Sequence, residues 1–520
     1  MDARQGVSFN LSPKIRQALP IAAVLAAANL AAAQPSPPYA PSAPYAPPSS
    51  YAPAPAYAYP RAYAPPSPIA TPQTAFSQGL SQSDAQGLMA ALNAAKSGDG
   101  AAIRTAMSGL YDPLARKIAL WAMADAAPDS MSPLEADDAR RDLADWPRPD
   151  RRQIAAANRL VVAEADAEFE AGWIALTRQN DPRGADAHFA RLQAMGRSPL
   201  TQSRALYWRG RAAEAMGDPV GAQLFYGQAA RYQTTFYGQL AASKGGAAII
   251  ALGHDPEITA ADRARFEGRE PVRAARLLAQ IGAKDTFKTF VSAISETLPT
   301  ASEEALLVDF ARGWGDQELA MRVVRNAAKR DFILPERGYP LRAAPTAYDA
   351  PEAPFVLGIV RQESGFDPMA RSGAGARGMM QLMPGTAQVV ARRLGMGYGD
   401  LDDPTYNMTL GSAFLGQLVS QFDGSYVMAA AAYNAGPGRP PQWAMTCGDP
   451  RSAATDPVNF IECIPFGETR DYVMRVLEAT EVYRARLNGG TAPDTLAADL
   501  KRGGYGYGSF GPAPGVARAR

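Results

Sequence analysis

Apolar positions recur at helical spacing from Ala75 to about Pro345. Leu88, Ala91, Leu92 and Ala95 fall at i, i+3, i+4 and i+7, and Leu114, Ile118 and Trp121 keep part of that spacing behind an Asp112-Pro113 start. No comparable strand alternation appears, so this stretch predicts helices throughout. It also repeats: Trp173 and Asp181-Pro182 are echoed by Trp208 and Asp218-Pro219, an offset near the roughly thirty-four residues of a tetratricopeptide helix pair. Such pairs bury their apolar faces on one another. The small-large alternation of Tyr207-Trp208, Gly210, Ala212-Ala213, Gly221-Ala222 and Phe225-Tyr226 suits close helix packing, which makes these aromatics core residues.

The pattern breaks between Leu334-Pro335 and Pro345, and a differently composed unit runs from Tyr348 to Leu487. It has no Lys and eleven Arg, and its short helices are punctuated by Pro384-Gly385, Gly395, Gly424 and Gly436-Pro437-Gly438. The expected fold class is all-α. Residues 1–33 read as a cleaved export signal, because Lys14 and Arg16 precede the apolar run Ala18–Leu30 and Ala31-Ala32-Ala33 offers a small-x-small cleavage site. That run is shorter than the roughly 20 apolar residues that span a bilayer, so no stable membrane span is expected after cleavage. Residues 34–74 read as a Pro, Ala, Tyr and Ser spacer in extended polyproline II, with a reach on the order of 100 Å. Tyr39, Tyr45, Tyr51, Tyr57 and Tyr63 recur every six residues and would share one face, as a docking stripe or as a repeat expansion with no partner. The remaining expected divisions are a helical array at 75–345, a second helical domain at 346–488 and a disordered Gly-rich tail at 489–520.

Composition narrows the chemistry. The 520 residues are 47% hydrophobic and 20% charged, enough for several cores. Lys+Arg 52 against Asp+Glu 51 leaves a net charge of +1, which gives no field for nucleic acid or anionic lipid, and no nucleic-acid partner is expected. His188 and His254 are each isolated from other ligand types, so neither a metal site nor a Ser-His-Asp triad is expected, and no cofactor. Asp367, Asp400, Asp402 and Asp403 lack the spacing of a calcium loop and read as caps and loop charges. Carboxylates remain as the candidate reactive groups.

One carboxylate stands out. Pro354 suits a helix start, and Val356, Ile359, Val360 and Glu363 share one face of that helix before Gly365 stops it. Burial at the end of an apolar stripe disfavours the charged form and raises the pKa, as a general acid near neutrality requires. A Glu at a frayed helix end pointing to solvent is the alternative.

The surrounding blocks are ordered: Arg361-Gln362-Glu363-Ser364-Gly365-Phe366, then Gly375-Ala376-Arg377-Gly378-Met379-Met380-Gln381-Leu382-Met383-Pro384, then Ala432-Tyr433-Asn434-Ala435-Gly436, then Ile464-Pro465-Phe466-Gly467-Glu468-Thr469-Arg470-Asp471-Tyr472-Val473. Together they resemble the soluble lytic murein transglycosylases, with Asn407, Leu410-Gly411 and Leu415 matching a linking helix and Met379 replacing a commoner Leu. The resemblance implies an α-superhelical, tetratricopeptide-like array followed by a lysozyme-like catalytic domain. It implies cleavage of the β-1,4 bond between N-acetylmuramic acid and N-acetylglucosamine in peptidoglycan, leaving a 1,6-anhydro ring. Glu363 looks like the family's single acid and base. Ser372, Gln381 and Met383 would line the sugar sites, Tyr433 and Asn434 would face the reacting ring, and Glu468 and Arg470 would position the site. For Glu468 and Arg470 a helix-start carboxylate and an ordinary salt bridge are equal alternatives.

With the export signal, the expected location is the periplasm and the expected partner is the peptidoglycan glycan strand. Cell-wall or division proteins could engage the array or the Tyr-Pro spacer. In an exported chain Cys447 and Cys463 are expected to form a disulfide worth about 3 kcal/mol in the chain-entropy model. A hydrolytic lysozyme on the same fold and a non-catalytic cell-wall scaffold remain as competing readings.

Overall fold

The computed structural model describes residues 79–147, 151–246, 248–343, 347 and 349–504. The expected export signal, the Tyr-Pro spacer and the last part of the tail lie outside the described residues. The all-α expectation holds. The chain begins with α1 (Gln82–Lys96), α2 (Gly100–Ser108), α3 (Pro113–Ala126) and α4 (Pro133–Asp142), then α5 (Arg151–Thr177), α6 (Pro182–Met195), α7 (Pro199–Ala215), α8 (Pro219–Ala229) and α9 (Phe236–Lys244). Next come α10 (Ala260–Gly268), α11 (Glu270–Gln280), α12 (Lys284–Thr297), α13 (Ala301–Gly313), α14 (Gln317–Lys329) and α15 (Pro335–Gly338). The rest contains α16 (Ala353–Glu363), α17 (Pro384–Arg393), α18 (Pro404–Gln421), α19 (Tyr426–Ala435), α20 (Arg439–Cys447), α21 (Pro457–Cys463), α22 (Gly467–Leu487) and α23 (Leu496–Asp499).

Local chemistry sets many helix starts. Asp112, Asp181, Asp218, Asp403 and Asp456 are each N-caps that accept a backbone N–H of the first turn, with Pro in the first two positions. The sequence repeat is a structural one: α5 with α6 and α7 with α8 form successive helix pairs. In the first pair a Cβ at Gly172 would stand 2.6 Å from the Phe189 ring, and in the second a Cβ at Gly210 would stand 2.5 Å from the Tyr226 ring. Each pair thus seats an aromatic of its second helix directly on backbone of its first. Trp208 is fully buried as expected, but its echo Trp173 is partly buried and donates to Asn459 Oδ1 at 3.2 Å.

The hydrophobic cores do not follow chain order. One joins α5–α9 to α16, α19, α21 and α22, through Phe169, Trp208 and Tyr237 on one side and Phe355, Val473 and Tyr483 on the other. A second joins α1–α4 to α10–α14. A smaller one holds α17 against α18.

The expected disordered tail is corrected over 489–504. Thr491–Pro493 forms strand β2, antiparallel to β1 (Ile249–Ala251), with Ile250 opposite Ala492. Leu496 and Leu500 are buried, and Asp499 pairs with Arg484 at 2.6 Å. Apolar residues one helical turn apart, Leu496 and Leu500, anchor this segment although its composition is rich in Gly and Ala.

Candidate active site

Helix α16 is apolar along most of its length, with Phe355 to Val360 all buried, and it delivers Glu363 at its last position. Gly365 and Phe366 then take positive φ values of 60° and 71° and turn the chain sharply. A Cβ at Gly365 would stand 2.8 Å from Met321, so only glycine fits there against α14. Ser364 Oγ donates to Met379 O at 2.7 Å and ties the helix end to the loop of the Gly375–Pro384 block. Buried Asn407 on α18 fixes that loop: its Oδ1 accepts from Met380 N at 2.8 Å, and its Nδ2 donates to Arg377 O and Leu401 O at 2.9 Å. Gln381 holds a φ of 47°, uncommon for a non-glycine residue, and its side-chain amide donates to Ala370 O and Gly378 O at 2.9 Å.

Beside Glu363 lies a cleft of about 380 Å³. Of the expected site residues, Glu363, Ser372, Gln381, Asn434 and Glu468 line it. Tyr433 sits behind the wall, its hydroxyl donating to Met380 O at 2.8 Å and its ring packed on Phe414. Met383 is the N-cap of α17 and does not line the cleft. Arg470 also faces elsewhere, donating to Glu462 O at 3.2 Å. Gln362, Asp471, Tyr472 and Arg475 line the cleft without having been singled out.

Tyr472 matters most among these. Its hydroxyl donates to Glu363 Oε1 at 2.6 Å, across 109 residues of chain. Burial raises the Glu363 pKa to about 7; the Tyr472 hydrogen bond to the carboxylate opposes that rise, and the Glu468 charge adds to it. Burial and then the Glu363 charge push both the Tyr472 and Tyr433 phenols well above their usual range, so both stay protonated as donors. Asn434 Oδ1 accepts from Thr469 Oγ1 at 2.7 Å, joining α19 to the first turn of α22, where Glu468 also sits. Asp367 bonds Met369 N, Asp403 caps α18, and Asp400 and Asp402 pair with Arg377.

The cleft wall is held from the array. Three residues on α21 and its cap meet array side chains: Asp456 pairs with Arg211 at 2.7 Å, Asn459 with Trp173, and buried Glu462 with Arg204 at 2.8 Å and with the Tyr237 hydroxyl. A disulfide between Cys463 and Cys447 closes α21 onto α20, and the chain then enters α22. Farther along α22, Glu478 accepts from Phe236 N at 2.8 Å, the first residue of α9.

Residues 342–453 match the family model described as the Transglycosylase SLT domain. This segment is an SLT transglycosylase domain. The matched SLT residues include α16 with Glu363 and the Asn407-anchored loop, and stop before α21 and α22. The soluble lytic murein transglycosylase of Escherichia coli (strain K12) is 38% identical over 148 residues, 28% of this chain and 22% of that protein. The protein of the same description from Salmonella typhimurium is 40% identical over 134 residues, 25% of this chain and 20% of that protein. The similarity therefore spans about a fifth of these relatives, 22% and 20% of their length. Among solved structures, the 70 kDa soluble lytic transglycosylase of Escherichia coli superposes with a TM-score of 0.49 at 23% identity, covering 82% of this chain and 66% of that one.

Proposed function

We propose that the protein is a lytic murein transglycosylase that cleaves the β-1,4 bond between N-acetylmuramic acid and N-acetylglucosamine and leaves 1,6-anhydro ends. The observation that carries this reading is the Glu363 carboxyl, placed by an apolar helix at a cleft, with a pKa raised to about 7 and a phenol donor on one oxygen. Such a group holds a proton near neutrality and can give it up. Glu363 protonates the glycosidic oxygen as the bond to C1 breaks. The substrate's 2-acetamido oxygen closes on C1 and carries the positive charge. The Glu363 carboxylate, stabilised by Tyr472, then takes the proton of the 6-hydroxyl, whose oxygen attacks C1 and displaces the acetamido group. Glu363 ends protonated, as it began, and no water is consumed.

In this reading Ser372, Gln381 and Asn434 bind sugar amides and hydroxyls in the cleft. Tyr433 acts from behind it by holding Met380 O, Arg470 acts only through Glu462, and Met383 has no contact in the cleft. The enzyme is exported to the periplasm, residues 346–488 form the catalytic unit, and residues 75–345 form an array that controls which strands reach it.

A hydrolytic reading has one observation in its favour: the Glu468 charge reaches Glu363, so a second carboxylate stands at the same cleft. Two carboxylates flanking the bond can direct water onto C1. Purified chain acting on peptidoglycan strands separates the two, with anhydro ends expected and reducing ends supporting hydrolysis. Glu363→Gln is expected to lower turnover by about 10³-fold or more, since the amide keeps the shape but cannot deliver a proton. Strand binding should persist in that variant, and near-normal turnover would remove Glu363 from its role.

A further inference from the structure

A second cavity, about 940 Å³, opens in the array. Its walls include Lys117, Trp146, Glu270, Lys288 and Arg322. Several of these charges are satisfied locally: Trp146 Nε1 donates to Glu270 at 3.0 Å, Lys288 lies 3.2 Å from Asp316, and Arg322 donates to Glu318 at 2.6 Å. Arg322 leads away from the cavity along α14 to Arg325, one turn on. Arg325 is exposed and has no ion-pair partner among the described residues.

Arg325 stands where the array meets α16 and α22. Its neighbour Val324 packs on Gly338, where a Cβ would be 2.8 Å from the valine. Arg361 on α16 donates to Gly338 O at 2.8 Å, and its guanidinium lies 4.1 Å from the Tyr339 ring centre. One turn earlier on α16, a Cβ at Gly358 would stand 3.0 Å from Val476 O on α22, and Arg475 beside it lines the catalytic cleft. Although Arg325 keeps an open surface to solvent, the protein packed around its guanidinium and then the charges of Arg361, Arg475 and Arg322 lower its pKa to about 10. The carboxylate facing Arg325 is Glu318, engaged by Arg322; buried Glu478, which caps α9, faces Arg361 and Arg475, and Asp471 lines the cleft beside Arg475.

We infer that Arg322, Arg325 and Arg475 form a cationic track from the array cavity to the catalytic cleft, and that it binds carboxylate groups carried by the glycan strand. Like charges held side by side repel unless an anion joins them, and guanidinium forks match carboxylates two bonds at a time. This inference rests on the proposed peptidoglycan reading. A strand carries carboxylates on its peptide stems, and an unsubstituted muramic acid carries one on its lactyl group.

The test measures binding by the full chain carrying Glu363→Gln, so that strands are not consumed. The probes are glycan strands with peptide stems, the same strands stripped by an amidase, and neutral N-acetylglucosamine oligomers. Adding Arg325→Ala is expected to weaken binding of stem-bearing strands about tenfold, the loss of one charge-assisted contact. Arg325→Glu should weaken it further and Arg325→Lys should recover part. The loss on neutral oligomers should be several-fold smaller. An equal loss on stripped strands, with the neutral oligomers less affected, keeps the track and assigns its ligand to the lactyl carboxylate. Equal losses on all three probes, or none on stem-bearing strands, overturn the track. Failure of the Glu363→Gln chain to bind any probe overturns the peptidoglycan reading, and the track with it.

Discussion

The two parts of the helical array stand in different relations to the catalytic cleft. Helices α5–α9 share a hydrophobic core with α16, α19, α21 and α22, whereas α1–α4 close on α10–α14 in a core of their own. The near part also supplies Arg204, Arg211, Trp173 and Tyr237 to α21, just before the helix that carries Glu468 and Tyr472. The far part reaches the site mainly through α14, where Gln317 donates to Gly365 O at 2.8 Å. Domains drawn along the sequence therefore differ from cores drawn in space: α5–α9, about a third of the array, pack with the helices that carry Glu363 and Tyr472.

Matched core truncations test this most strongly. Phe189 is fully buried against Gly172 and Trp208 in the near core, and Phe290 is fully buried against Trp121 and Trp146 in the far one. Phe189→Ala and Phe290→Ala should each cost roughly 3–5 kcal/mol of local stability. Calorimetry should show each variant lowering a different transition. Only Phe189→Ala should also slow turnover on short soluble glycans, and equal slowing by both would erase the distinction.

Glu462 is the sharpest point of attachment. Its side chain is fully buried, with Arg204 at 2.8 Å and Arg470 Nε at 3.8 Å. Glu462→Ala leaves those guanidinium groups without their carboxylate and should cost about 3 kcal/mol or more by denaturant midpoint. A change below about 1 kcal/mol would mean that the ion pair does not hold α21 to the array.

The smallest effects are opposite shifts in the pH profile. A general acid must be protonated, so kcat should fall as pH rises through the Glu363 pKa of about 7. Tyr472 donates to the carboxylate form and lowers that pKa, so Tyr472→Phe should move the alkaline limb up by about half a unit to one unit. Glu468 raises it, so Glu468→Gln should move the limb down by a similar or smaller amount. Shifts of the same sign in both variants would contradict the assignment of these two effects.

Much of this was legible in the chain. Asp-Pro pairs marked helix starts because their capping chemistry is local, and the apolar face of α16 led to Glu363 because helical period alone puts them in line. Contacts across long sequence separations were not legible. Nothing near Glu462 announces Arg204, 258 residues away, and no local pattern marks Tyr472 as the partner of Glu363. Arg470 was singled out for the site but turns toward Glu462, because helix α22 presents Tyr472 and Arg470 to different neighbours. Strand β2 escaped notice because its partner β1 lies some 240 residues earlier in a helical context, with the first partners at Ile249 and Pro493.

The central claim is that Glu363 serves as acid and then base for attack by the sugar's own 6-hydroxyl. Digestion of stem-bearing peptidoglycan strands in water enriched in ¹⁸O, followed by mass analysis of the new ends, tests it directly. Ring closure predicts 1,6-anhydro ends that carry no ¹⁸O at C1. New reducing ends labelled at C1 would show that water attacks, with Glu363 as acid and a second carboxylate such as Glu468 as its partner.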